Sequence, residues 1–173
     1  GKGTQANILK DSILPDLNIL TVSSLLKEKS QDESVLGKDI KNKMDNGDLI
    51  EDTIVISVLK EKVNTLSNEQ ILIDGFPRSS IQADSLLEIF DNKDLSIINF
   101  DVDDEQLLQR IKKRSMEESR ADDSFFEKRL QIYKKSHLEI LNSLKKNYLV
   151  TDIQANDEIS SVTAKIVDKL GLN

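Results

Sequence analysis

The sequence predicts a three-layer α/β fold built on a parallel sheet, and three observations carry that expectation. "QILIDG" and "LSIINFDV" are short apolar runs of the kind that form strands buried on both faces. Helical patterns separate and flank them, which is how parallel strands are joined. Gly 6 and Pro 2 are few in 173 residues, and there is no internal repeat or low-complexity tract, so one helix-rich domain is expected.

In chain order, a helix is expected from about Lys2 until Pro15 stops it, followed by a short extended segment at "NILTV". Helices follow at "SSLLKEK", at "VLGKDIKNKMDNG" with a glycine stop, and at "DTIVISVLKEKV", where Ile54, Val55, Val58, Leu59 and Val63 share a face. "SIQADSLLEIF" reads as a helix between the two apolar runs. It completes a βαβ unit that brings Asp74 and Asp101 to one sheet edge, where open α/β sheets hold ligands. A helix at "DDEQLLQRIKKR" leads into the polar loop "SMEESRADD". The long helix from Ser124 to about Asn147 carries Phe126, Leu130, Tyr133, Leu138, Leu141 and Leu144 along one stripe. A strand at "YLVTD" and a helix with Ile159, Val162, Ile166 and Leu170 on one face close the chain.

Composition excludes several function classes. A net charge of -7 argues against nonspecific nucleic-acid binding, which needs a basic face to displace counterions from phosphates. No apolar run is long enough to span a bilayer and no signal-peptide pattern opens the chain, so a cytoplasmic location is expected. With Cys 0, disulfides and thiolate zinc sites are impossible and any metal must be held by oxygen.

Three constellations carry chemistry. "GKGTQ" looks like the second half of a phosphate-binding loop: a helix start offers N–H groups to an anion, Lys2 adds a charge, and the Thr4 hydroxyl can ligate magnesium. The same residues also suit a frayed polar N-terminus. In "DGFPR", Asp74 ends a strand where it can hold a water of a magnesium ion, Gly75 permits a tight turn, and Pro77 stiffens the approach to Arg78. Gln82 fits a capping box with Ser79, which would return its side chain to the N-cap backbone instead of to a ligand. The third constellation holds Arg110 and Arg114 on one helix face, Arg120 in the loop and Arg129 on the next helix. Converging guanidiniums stabilise the charge that spreads over a transferred phosphoryl group, and Asp122 and Asp123 could orient them. Ser124 and Glu127 form a second capping box, so a solvated charged hinge competes with that reading. His137 and Met116 read as ordinary surface residues.

With "GKGTQA", "LGKDIKNKMDNGDLIEDTIV", "ILIDGFPRSSIQAD" and "RADDSFFEKRLQIY" in this order, the chain resembles the nucleoside monophosphate kinases over essentially its whole length, and among them adenylate kinase in its short-lid form. The resemblance implies a core of the P-loop NTPase type at residues 1–21, 68–113 and 124–173. It also implies a mobile monophosphate-binding insertion at 22–67, a lid at 114–123, and the reaction ATP + AMP to two ADP with Mg2+. It assigns Gly1, Lys2, Gly3, Thr4, Arg110 and Arg114 to ATP and its phosphates. Lys27, Gly75, Arg78, Gln82, Arg120 and Arg129 go to AMP, and Thr4 and Asp74, the latter through water, to the metal. Lys2, Arg78, Arg110, Arg114, Arg120 and Arg129 would be catalytic, in a monomer.

Two departures stand out. Where the family has threonine, glycine, aspartate, two apolar residues and arginine, this chain reads Val22, Ser23, Ser24, Leu25, Leu26 and Lys27, which removes a base-contacting hydroxyl and a bidentate fork. UMP/CMP kinase, and a nonenzymatic nucleotide-binding scaffold with a decayed acceptor site, are therefore the alternatives. Gln82 favours AMP, since the UMP/CMP kinases usually have asparagine there. The family's loop also follows a buried first strand and a glycine-rich approach. The resemblance implies that this chain is a truncated or incompletely traced version of a longer protein, with Gly1 the remnant of the cradle.

Overall fold

The computed structural model describes residues 1–66, 70–90, 95–110 and 126–172, with side chains described throughout except at 126–133. Two compact units divide it, Lys2–Leu95 and Ser96–Asn173 with Gly1.

The first unit runs α1 (Lys2–Ser12), β1 (Asn18–Thr21), α2 (Val22–Lys29), α3 (Val35–Asn46), α4 (Asp52–Thr65), β2 (Ile71–Asp74), α5 (Ser80–Asp84) and α6 (Leu86–Phe90). Strands β1 and β2 pair in parallel, Asn18 opposite Ile71 through Thr21 opposite Asp74, so the site-bearing Asp74 ends the ladder. The glycine stop expected for α3 forms, and the structure adds a cap at its start. Ser34 caps its start by accepting from the Gly37 N–H at 3.1 Å, and Gly47 ends it in the left-handed conformation, φ 72°. Ile40 and Leu59, at 0% and 1% exposure, anchor a core shared by β1, α2, α3, α4 and α6. On α4, Val55, Val58 and Leu59 are buried while Ile54 and Val63 lie half-buried at the margin.

The second unit runs β3 (Ile97–Asp101), α7 (described over residues 104–110), α8 (Phe126–Asn147), β4 (Val150–Gln154) and α9 (Ile159–Leu170). Strands β3 and β4 are parallel, Ile97 opposite Val150 through Asp101 opposite Gln154. The Ala155 N–H continues the ladder onto the Asp101 carbonyl at 2.8 Å. Asn99 and Lys145 both donate to the Asp152 carboxylate, which holds it below its ordinary range. His137 is half-buried on α8. Ile166, with no exposed surface, is the centre of the α9 packing face. Ile166→Val should lower unfolding stability by about 1 kcal/mol, read by urea denaturation, since removing one buried methylene leaves a small cavity.

Several sequence expectations are corrected. Pro15 stops helix α1 as expected, and the last helical residue is Ser12, because proline bars the helical conformation at Leu14, whose N–H closes instead onto the Leu9 carbonyl at 2.7 Å. The helix expected between the apolar runs breaks at Ser85 into α5 and α6, where the Ser85 hydroxyl donates to the Gln82 carbonyl at 2.8 Å. Within those runs the strands Ile71–Asp74 and Ile97–Asp101 are half-buried at every position but Asp101, which is exposed. Among the described residues each strand has one backbone neighbour, and β2 and β3 lie in different sheets. Asp74 and Asp101 are therefore not brought to a common edge by a shared ladder. Strand β4 starts at Val150, leaving Leu149 85% exposed. Of the expected stripes, Leu144 is buried but Leu138 is exposed, and Val162 and Ile166 are buried but Ile159, in the first turn of α9, is exposed. The start of the long helix at Ser124, and the side chains of Phe126, Leu130 and Tyr133, lie outside the described residues.

Candidate active site

The first turn of α1 is exposed and polar at Lys2, Gly3 and Thr4, while Gln5, Ala6 and Leu9 bury the opposite side. A helix start offers backbone N–H groups and a positive dipole end to an anion. The Asp74 carboxylate lies beside it: a Cβ built on Gly3 would be 3.6 Å from Asp74 Oδ2. Strand β2 thus delivers its terminal carboxylate to the start of α1. A hydroxyl at Thr4 and a carboxylate at Asp74 are hard oxygen donors, the set magnesium takes alongside phosphate oxygens. Among the described residues, no three acidic or histidine side chains form a metal cluster of their own.

The turn after β2 fixes Arg78. Gly75 adopts φ 87°, a conformation that disfavours side chains, and a Cβ there would come within 2.9 Å of Arg78 Nη2. Arg78 Nε donates to the Gly75 carbonyl at 2.8 Å, folding the exposed guanidinium back over its own turn. The Phe76–Pro77 peptide is cis. Gln82 is 5% exposed, and only half of the expected capping box forms. Ser79 Oγ accepts from the Gln82 N–H at 3.1 Å, but Gln82 Oε1 accepts from the Arg78 N–H at 2.7 Å, one residue before the N-cap. Its Nε2 donates to Asp52 Oδ1 at 2.6 Å, which draws the amide away from the N-cap backbone. Sequence reasoning missed Asp52, because no local spacing connects it to a glutamine 30 residues later.

Arg110 ends the described part of α7. Its Nη2 donates to the Ala155 carbonyl at 2.8 Å, and its Nη1 lies 3.9 Å from where a Cβ on Gly1 would be. An ion pair between Lys134 and Asp104 joins α8 to α7. Arg114, Arg120, Asp122, Asp123 and Met116, with the Ser124 and Glu127 capping box, lie outside the described residues, as does the Arg129 side chain.

The departing segment has its own chemistry. Val22 is buried at 7% exposure, while Ser23, Ser24 and Lys27 are exposed. The Thr21 hydroxyl, one position before Val22, donates to Ser24 Oγ at 2.6 Å. A hydroxyl pair thus stands at the junction of β1 and α2, a second feature that sequence reasoning missed.

The sequence matches the family model described as adenylate kinase over residues 1–149. The chain belongs to the adenylate kinase family. Its curated relatives include the adenylate kinase of Leptospira biflexa, 29% identical over 98% of this chain and 94% of that one. The adenylate kinase of Flavobacterium psychrophilum is 32% identical over 98% and 94%. That of Hyphomonas neptunium is 33% identical over 96% and 90%. Membership in the adenylate kinase family establishes the α/β class of the P-loop NTPases, which the parallel strands and flanking helices fit. No described helix is long and apolar enough to cross a membrane.

Proposed function

We propose that this chain moves the γ-phosphoryl group of ATP to AMP, giving two ADP. The observation that carries the reading is the Asp74 carboxylate set against the exposed first turn of α1, with Arg78 locked on the turn that follows. Such a site works by position and charge. The α1 N–H groups and the Lys2 ammonium receive phosphate oxygens, and guanidiniums stabilise the negative charge that spreads over the transferred group. We assign Gly1, Lys2, Gly3, Thr4 and Arg110 to the donor, together with Arg114. Lys27, Gly75, Arg78 and Gln82 go to the acceptor with Arg120 and Arg129. The Thr4 hydroxyl directly and Asp74 through water would hold Mg2+, which when bound neutralises phosphate charge. In this reading residues 22–67 form the monophosphate-binding insertion and 114–123 the lid, and the enzyme acts as a cytoplasmic monomer.

A second reading, a nucleotide-binding scaffold without turnover, is favoured by the buried Val22 and by Lys27 standing without a bidentate fork. A coupled ADP-formation assay with AMP, UMP and CMP as acceptors separates the possibilities. AMP should give kcat/KM about tenfold or more above UMP and CMP, the scale of base discrimination by a hydrogen-bonding site, and chelation by EDTA should abolish turnover. A preference for UMP or CMP would overturn the AMP assignment. Nucleotide binding without ADP formation would replace the enzyme by the scaffold.

A further inference from the structure

Asp52 opens α4 and accepts two hydrogen bonds from the segment after β2: Gln82 Nε2 to Oδ1 at 2.6 Å and Ser79 Oγ to Oδ2 at 2.7 Å. The Gln82 carbonyl oxygen meanwhile accepts from the Arg78 N–H at 2.7 Å. A carboxamide fits its site in two orientations of nearly equal shape, differing only in which end donates. Here a carboxylate, which only accepts, faces one end, and a backbone N–H, which only donates, faces the other. A single orientation satisfies both, and the reversed one would set two donors and two acceptors against each other at a position 5% exposed.

Of the two donors and two lone pairs in the amide, these bonds use one of each. The remaining N–H and lone pair are left in a fixed spatial order. A purine edge with an exocyclic amine beside an unprotonated ring nitrogen matches one order. An edge with a carbonyl beside a ring N–H matches the reverse. We propose that Asp52 is a positioning residue that sets the acceptor's base selectivity, 6-amino over 6-oxo purine, by locking the Gln82 amide. The inference rests on the reading of Gln82 as the acceptor-base contact.

Asp52 also places a negative charge at the start of α4, a merely structural role that the AMP to IMP ratio would not register. Asp52→Glu keeps the charge and displaces the acceptor. Asp52→Asn removes the charge and sets an amide, which donates as well as accepts, against Gln82, so that both Gln82 orientations become possible. Steady-state kinetics with AMP and IMP, on variants checked for folding by circular dichroism, provide the readout. D52E should raise KM for AMP about tenfold and narrow the AMP to IMP ratio of kcat/KM by a similar factor, with KM for ATP within about twofold. D52N should narrow the ratio as well, because an amide partner no longer excludes the reversed Gln82. If D52E does not fold, Asp52→Ser, too short to reach Gln82, should give the same narrowing. Unchanged AMP to IMP selectivity in both D52N and D52E, with a lowered melting temperature in D52N, would overturn the proposal in favour of helix-end charge. Gln82→Ala distinguishes the remaining failures. If it abolishes selectivity while the Asp52 variants keep it, the positioning role is wrong and the base contact stands. Unchanged selectivity in Q82A itself would remove the base contact and the proposal with it.

Discussion

Arg78→Ala should lower turnover about a thousandfold in the ADP-formation assay, the scale set by loss of an arginine that stabilises phosphoryl transfer. The expectation comes from how the side chain is held. One of its five donors is committed to the Gly75 carbonyl, which fixes the guanidinium plane before any nucleotide arrives and lowers the entropy lost on binding. The exposed side chain contributes little to folding, so the melting temperature should change by only a few degrees. Arg78→Lys should not restore the rate, because a single ammonium cannot keep the Gly75 bond and grip a phosphate as a planar fork. A loss below tenfold in R78A would take Arg78 away from the phosphates.

Gly37→Ala should destabilise the first unit by about 3 kcal/mol, measured by urea denaturation. By helix propensity alone, alanine inside α3 would gain about 1 kcal/mol over glycine. Space decides the sign. A Cβ at position 37 would lie 2.4 Å from the Asp32 carbonyl oxygen, 2.8 Å from that of Lys29 and 2.9 Å from Asp32 Cβ. The nearest two atoms are backbone and cannot swing aside, so the link between α2 and α3 must move away from the core around Ile40. A variant as stable as the parent would show that this link relaxes freely.

Helices α3 and α4 were legible because their signals are local: a glycine stop for α3 and, on α4, apolar residues recurring every three or four positions. Strand existence was legible for the same reason at Ile71–Asp74 and Ile97–Asp101. Their ladder partners were not, since pairing is decided between segments far apart in sequence. Gly37 read as an ordinary helical residue because the two carbonyls that crowd it belong to the last residue of α2 and to the turn after it, a contact that no periodicity describes. In the site, the functional types at Lys2, Thr4, Asp74 and Arg78 could be named from the motifs. The Asp52 lock on Gln82 depends on a contact across 30 residues, and the Thr21 to Ser24 bond on a hydroxyl displaced by one position from the family pattern.

The bond from Arg110 to the Ala155 carbonyl has an evolutionary corollary. Every residue type supplies that oxygen, so position 155 is free to drift among small side chains without loosening the guanidinium. Comparing homologues at that column would reveal nothing of the tether. Only a displaced main chain, such as an insertion that shifts the end of β4, would sever it.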